Sequence, residues 1–243
     1  MRMTPEYRIG VIVPKGNAIH ENEFMRLGSK GVQFRFTPFS YPNLGSTDFC
    51  GDLRAEMSAP IAELRAWDAD AILIGCTTAS MVCGSQRWRE DLEQMANAPV
   101  VTAADASLQA IAALGVTTIA VATPYGDAGN QTVTDFLVKN GVTVATIKGL
   151  GLDRSIEMWL RDAPNLSANE VLDFTLTVDS GLAEAIYLPC VGIKSLEVLD
   201  QLEKKTGKPA FSSVQAGYWS ILRRVGADGR ANGFGRLIEI WNF

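Results

Sequence analysis

Short runs of β-branched and aliphatic residues recur along the chain, and polar turns and amphipathic segments separate them. The first run, 8–14, is a short run rich in β-branched residues and ends in a turn, as expected of a strand buried in a parallel sheet. Strands that alternate with helices predict an α/β fold with parallel sheets and right-handed crossovers. Further strands are predicted at 33–39, 71–75, 99–101, 118–124, 142–147, 185–189 and 209–211.

The segments between the strands predict helices. Two of them end at Gly141 and Gly207, and glycine is the usual left-handed residue after a helix C-terminus. The predicted helices lie at 52–67, 130–140, 167–180, 197–206 and 215–225.

The second half of the chain repeats the scheme of the first. Each half opens with an apolar strand that ends at a proline, Pro14 or Pro124, and later has an apolar strand that runs into a cysteine. These cysteines are Cys76 and Cys190. The repeat predicts two pseudo-symmetric lobes, each a short parallel sheet flanked by helices, with an active site between them at the carboxyl ends of the strands. A single continuous sheet is the alternative.

The length of the chain is compatible with either arrangement. Its 243 residues exceed the usual ~100–200 of one domain. Under the two-lobe hypothesis, we expect 1–101 and 214–243 to form an N-terminal lobe with a returning C-terminal helix. The second lobe is then 102–213.

Composition excludes several classes of partner. The formal net charge is −5 and no basic run is present, so nucleic acid is not expected as a partner. No apolar stretch approaches the ~18 residues of a membrane helix, and no membrane partner is expected. The first residues lead into a strand without a signal-peptide apolar segment, which predicts a cytoplasmic protein.

Four cysteines and one histidine limit the chemistry. Without an export signal, Cys50, Cys76, Cys83 and Cys190 are expected to be thiols and not a disulfide framework. No C-x-x-C pair accompanies the single His20, so we expect no metal. No glycine-rich phosphate loop of the usual kinds is present. The chemistry is therefore expected to come from thiols, carboxylates, hydroxyls or a bound cofactor.

Cys76 and Cys190 are the candidate catalytic residues. A thiol at a strand end, before the first turn of a helix, lies among free backbone amides that lower its pKa. Either cysteine alone is equally well explained as a small buried hydrophobe, but equivalent positions in two repeats favour function. Cys83 lies on the same helical face as Cys76 and is expected in the core, and Cys50 has no assigned role.

Neutral hydrogen-bonding side chains flank the two cysteines. Thr77 and Thr78 follow Cys76 directly, and Tyr125 and Asn17 lie in turns after strands. Together with backbone amides, such donors suit the oxygens of a carboxylate. Turn formation and helix capping are the alternative roles.

Several motifs together resemble a known family over nearly the whole chain. The motifs are Pro14-Lys15-Gly16-Asn17 followed by Glu21 and Glu23, Cys76-Thr77-Thr78-Ala79-Ser80, Thr123-Pro124-Tyr125, Cys190-Val191-Gly192-Ile193, the 207–219 stretch and Gly233-Phe234-Gly235-Arg236-Leu237. They resemble the aspartate/glutamate racemase superfamily, in its maleate cis-trans isomerase and arylmalonate decarboxylase branch.

The resemblance implies a substrate held between two lobes and no cofactor. In the maleate isomerases the first cysteine, here Cys76, attacks the double bond of a cis diacid, and the second, here Cys190, handles the proton. In racemases the same pair removes and returns a proton on opposite faces. In the decarboxylases glycine replaces the first cysteine. The presence of both cysteines favours isomerase or racemase chemistry.

We therefore expect a cofactor-independent isomerase of a small carboxylic acid, with maleate to fumarate as the leading reaction. A racemase or an arylmalonate-type decarboxylase is the alternative, and a non-catalytic small-anion binding protein is a further one. Arg154 replaces an asparagine that is usual in the isomerases, and whether it contacts the substrate is left open. Whether the protein forms a homo-oligomer is also left open. The expected substrate-binding residues are Asn17, Thr77, Thr78, Tyr125 and the backbone amides of Val191 and Gly192.

Overall fold

Two parallel four-stranded sheets form the centre of the protein. A computed structural model describes residues 6–43, 45–84, 86–152 and 156–241. The first sheet contains β1 (Tyr7–Pro14), β2 (Val32–Phe39), β3 (Ala71–Ile74) and β4 (Val100–Thr102). The second contains β5 (Thr118–Thr123), β6 (Thr143–Gly149), β7 (Ala185–Leu188) and β8 (Ala210–Ser212).

The two sheets have the same topology. Their strand orders are β2-β1-β3-β4 and β6-β5-β7-β8, and every neighbouring pair is parallel. The central strands β3 and β7 are buried along their whole length, which explains their continuous apolar sequence. The predicted α/β fold with two pseudo-symmetric lobes is confirmed, and each predicted strand is present within about two residues of its expected ends.

Helices cover the sheets and connect the strands. They are α1 (Ala18–Leu27), α2 (Phe49–Glu56), α3 (Ser58–Ala66), α4 (Thr77–Cys83), α5 (Gln86–Ala96), α6 (Ala103–Leu114), α7 (Asp127–Lys139), α8 (Ile156–Asp162), α9 (Ala168–Leu176), α10 (Leu199–Thr206) and α11 (Ser213–Val225). Short 3-10 turns lie at Ala163–Asn165 and Arg236–Glu239. Within the described ranges, no helix is long and apolar enough to cross a membrane.

The single helix expected over 52–67 is two helices. α2 ends and α3 begins around Met57. Pro60 has no backbone N–H and so cannot donate to the carbonyl of Glu56, which breaks the helical ladder at this point.

The two halves of the chain interlock through the helices that follow the last strand of each sheet. α6 follows β4 of the first sheet, and its Ser107 lies 2.6 Å from the Tyr187 hydroxyl on β7 of the second. α11 follows β8 of the second sheet, and its Gly217 packs closely on Leu73 of β3 in the first. The division into 1–101 with 214–243 and 102–213 stays a prediction.

A disulfide corrects the expectation of four thiols. Cys50 of α2 and Cys83 at the end of α4 are bonded to each other, with their Cα atoms 5.4 Å apart. Cys76 and Cys190 are free. The expectation rested on the predicted compartment, whereas the pairing depends on a contact between two helices that 33 residues of sequence separate.

Candidate active site

The two predicted catalytic cysteines occupy corresponding positions at the carboxyl edges of the sheets. Cys76 follows β3 and Cys190 follows β7, each two residues beyond the strand. Cys76 is the N-terminal cap residue of α4, as expected. Cys190 instead leads into an irregular segment, 190–198, before α10, so the expected helix start at this position is wrong. Both side chains are buried.

A cavity of about 820 Å³ opens beside Cys76. Its wall is mostly apolar and comes from both lobes, through Phe49, Ala79, Val82, Ala128, Trp159 and Val191. Besides the Cys76 thiol, its polar side chains are Lys15, Ser40, Tyr41, Thr77, Thr78, Tyr125 and Thr132. Of these, Lys15 alone carries a charge. The cavity therefore offers a carboxylic acid mainly neutral donors and an apolar surface.

The thiol of Cys76 is surrounded by hydrogen-bond donors. The Tyr41 hydroxyl lies 3.0 Å from Cys76 Sγ and 3.2 Å from Thr78 Oγ1. Burial raises the pKa of Cys76, whereas contacts with Tyr41, the Ala79 amide and Thr78 lower it. The expectation of a lowered pKa is wrong in this structure, because the effect of burial exceeds that of the donors.

Cys190 is held more strongly in its protonated form. Burial raises its pKa to about 12. The Gly192 amide, with its nitrogen 3.2 Å from Sγ, and the Tyr125 hydroxyl counteract part of that rise. Charge on Cys76 or Glu23 raises it further. The expected lowering of this pKa is also wrong, and Cys190 is a protonated thiol at neutral pH.

Each free cysteine has a tyrosine partner. Tyr41 forms a hydrogen bond with Cys76, and Tyr125 forms one with Cys190. Burial raises the pKa of both tyrosines well above its usual value, so each phenol remains protonated and can donate to a thiolate. Charge on either cysteine affects both tyrosines, which requires the four groups to lie near one another.

Asn17 links the two lobes behind the cavity wall. Its Oδ1 accepts the backbone N–H groups of Ile19 and His20 and caps α1. Its Nδ2 donates to the carbonyl oxygen of Val191 at 3.0 Å. In the structure Asn17 therefore positions the segment that follows Cys190.

Two lining residues have buried polar atoms without a hydrogen-bond partner in the part of the chain described. These atoms are Thr77 Oγ1 and Trp159 Nε1. A buried unpaired donor is costly, so both are suited to bind a polar ligand. The Trp159 ring also lies directly against Gly192, and a Cβ atom added to Gly192 would overlap with the ring.

Sequence reasoning missed Tyr41, Phe49, Trp159 and Lys15. Tyr41 comes shortly after β2, so its position at the carboxyl edge of a predicted strand was an available signal. Trp159 belongs to α8, for which the sequence offered no such signal. Arg154 lies outside the described residues. Within those ranges, no group of three His, Cys, Asp or Glu side chains is placed to hold a metal ion.

The fold and the site define a two-lobed α/β protein in which each lobe contributes one cysteine to a shared region. The family model for arylmalonate decarboxylase matches residues 9–238. The chain belongs to this family of enzymes, and its resemblance to the maleate isomerase and arylmalonate decarboxylase branch is confirmed.

Relatives with two different activities are similar to the chain. Arylmalonate decarboxylase of Bordetella bronchiseptica is 32% identical over 142 residues, 58% of each chain. Maleate isomerase of Nocardia farcinica is 26% identical over 244 residues, 96% of this chain and 95% of the relative. A solved structure of the Nocardia farcinica maleate cis-trans isomerase, a cysteine-to-serine variant with a covalently bound succinylcysteine intermediate, has a TM-score of 0.85. It is 23% identical and covers 97% of this chain and 99% of its own.

Proposed function

We propose that this protein is a cofactor-independent isomerase of a small carboxylic acid that converts maleate to fumarate. The observation that carries the proposal is the pair of buried thiols, Cys76 and Cys190, each hydrogen-bonded to its own tyrosine. A non-catalytic binding protein has no need of two such pairs. The cytoplasmic location is part of the proposal and rests on sequence alone.

In the proposed reaction the Cys76 thiolate adds to one alkene carbon of maleate. A sulfur–carbon bond forms, and the π electrons move onto the carboxylate attached to the other alkene carbon. The Cys190 thiol then delivers its proton to that second carbon and becomes a thiolate. The result is a succinyl group on Cys76 with a single bond between the former alkene carbons.

Rotation about this single bond precedes the return steps. The Cys190 thiolate then removes the hydrogen of that second carbon which now faces it, the electron pair re-forms the double bond, and the sulfur–carbon bond breaks. Fumarate and the original Cys76 thiolate result. Tyr41 and Thr78 stabilise the thiolate of Cys76, and Tyr125 with the Gly192 amide stabilises that of Cys190.

Neutral donors hold the substrate carboxylates in this proposal. Thr77 has a buried hydroxyl without a partner in the described ranges and lines the cavity. Asn17 fixes the carbonyl of Val191 and so orients the backbone after Cys190. The proposed substrate-binding residues are Asn17, Thr77, Thr78, Tyr125, Val191 and Gly192.

One observation favours a second candidate. The apolar wall formed by Phe49, Val82 and Trp159 suits an acid with an apolar substituent. A racemase of such an acid would use the same two cysteines, one on each face of the α-carbon. An arylmalonate-type decarboxylase would need Cys190 alone.

Mass spectrometry of a Cys190→Ser variant tests the covalent step. In this variant water supplies the proton that completes the adduct. Serine is a far weaker base than a cysteine thiolate and does not remove a proton again, so the adduct should accumulate on Cys76 when maleate is added. We expect a mass increase of one maleic acid that peptide mapping places on Cys76 and that Cys76→Ser abolishes. Maleate turnover with no adduct in any variant would overturn the covalent mechanism.

A further inference from the structure

Glu23 of α1 is a buried acidic residue that the proposed chemistry does not use. Its side chain is 3% exposed, and a buried carboxylate is rare in proteins unless it is paired. Its hydrogen bonds cross to the other lobe. Oε1 accepts the backbone N–H of Leu196 at 2.7 Å, and Oε2 accepts the Ser195 hydroxyl at 3.1 Å.

These contacts hold the far end of the irregular segment 190–198. Asn17 holds its near end through the carbonyl of Val191. Arg26, one turn beyond Glu23, pairs with Glu197 at 2.8 Å. α1 and its N-cap residue therefore contact the segment after Cys190 at three successive points. Two of these contacts involve a carboxylate, and the one made by Glu23 is buried.

We propose that Glu23 is a positioning residue for Cys190, fixing the 191–196 segment of the second lobe so that the thiol faces the substrate. The substrate part of this statement rests on the proposed function. The positioning itself rests on the two hydrogen bonds, which no other acidic side chain of α1 makes in the described structure.

The contact needs a side chain that can hydrogen-bond to Leu196 and Ser195 at the same time. Leu196 offers an N–H and Ser195 an O–H, and a carboxylate accepts both at once. Glutamine keeps one acceptor oxygen for Leu196, while its amide group can donate to the Ser195 oxygen. Glu23→Gln should therefore preserve the position of the segment, whereas Glu23→Ala should release it.

The carboxylate also acts on Cys190 through its charge. Burial raises the pKa of Glu23 to about 7, against hydrogen bonds from Leu196 and Ser195 and the positive charge of Arg26. The Glu23 charge in turn raises the pKa of Cys190. On α1 itself, buried His20 has its pKa lowered to about 3 and remains neutral. Loss of the Glu23 charge should make the Cys190 thiolate easier to form.

The kinetic test compares three variants in the full-length protein. A displaced proton donor typically costs on the order of 10²-fold in rate. We expect Glu23→Ala to lower kcat for maleate by about that factor with a smaller change in KM, and Glu23→Gln to retain most of kcat. Glu21→Gln is the matched control, because Glu21 is an exposed residue on the same helix. Equal kcat in all variants, or equal losses in Glu23→Ala and Glu21→Gln, would overturn the proposal.

A second readout does not depend on turnover. In a Cys76→Ser background with ¹³Cβ-labelled cysteine, Cys190 is the one free thiol, because Cys50 and Cys83 are bonded. We expect its ¹³Cβ resonance to begin titrating at lower pH in Glu23→Gln and to change position already at neutral pH in Glu23→Ala. A Cys190 resonance at the wild-type position in folded Glu23→Ala contradicts the proposal. If Glu23→Ala fails to fold, a wild-type resonance in Ser195→Ala, which removes one of the two hydrogen bonds, contradicts it instead. If maleate is not turned over at all, the proposed function fails and this experiment still decides the role of Glu23.

Discussion

Replacing Tyr41 by phenylalanine removes one hydroxyl group beside the Cys76 thiolate and leaves the ring in place. The hydroxyl lies 3.0 Å from Cys76 Sγ. A hydrogen bond to a charged group contributes about 1.5–3 kcal/mol, and one pKa unit corresponds to about 1.4 kcal/mol. The substitution is therefore expected to raise the pKa of Cys76, already above its usual value, by a further ~1–2 units.

The kinetic consequence is a shift of the pH profile. At a pH well below the pKa of Cys76, the thiolate fraction falls tenfold for each unit by which the pKa rises. We expect kcat/KM for maleate at pH 7 to fall about 10–100-fold in Tyr41→Phe, and part of the loss to return at higher pH. The assay is maleate consumption at low substrate concentration over a range of pH.

Tyr218 provides the matched control. Its hydroxyl donates to the Gly28 carbonyl at 2.6 Å, and it is not among the residues that line the cavity. Tyr218→Phe should lower the free energy of unfolding by about 1 kcal/mol and leave the pH profile of kcat/KM in place. An unshifted profile in Tyr41→Phe, or an equal loss at every pH, would refute the role assigned to the hydroxyl.

Three further predictions concern stability and packing. Because folding raises the pKa of Glu23 from 4.5 to about 7, the free energy of unfolding should fall by about 3 kcal/mol as the pH rises across that interval. Denaturant titrations should show that Glu23→Gln removes this pH dependence. The same pH dependence in wild type and variant contradicts the prediction. Gly192→Ala forces the Trp159 ring to move, so we expect the free energy of unfolding measured in urea to fall by about 1–3 kcal/mol and kcat to fall as well. A wild-type kcat would argue against the contact. The disulfide between Cys50 and Cys83 spans 33 residues, so a Cys50→Ser variant should lose up to about 4 kcal/mol in its free energy of unfolding. No loss relative to the wild type under non-reducing conditions would show that the bond is not formed.

The fold was predictable because its signals are local. Continuous apolar runs mark strands buried on both faces, and the repeated order of strands and prolines indicated two similar lobes. The repeat also singled out Cys76 and Cys190, since equivalent positions at strand ends are visible in the sequence. The break between α2 and α3 follows from Pro60 and could also have been predicted from the sequence.

The remaining features of the site depend on contacts between distant segments. Whether Tyr41 reaches Cys76 depends on how the turn after β2 folds over α4. The pKa of each cysteine depends on burial, which outweighs the donors that the sequence did indicate. The partner of Cys50 and the lobe-crossing bonds of Glu23 likewise exist only once the helices have packed.

Proton NMR of the purified protein with maleate in deuterated water tests the central claim most directly. The olefinic signals of maleate and fumarate are resolved, so the product is identified without coupling enzymes. We predict that fumarate appears with the wild-type protein and is absent with Cys76→Ser and with Cys190→Ser. Unchanged maleate with the wild type, or fumarate formed at the wild-type rate by either variant, would contradict it.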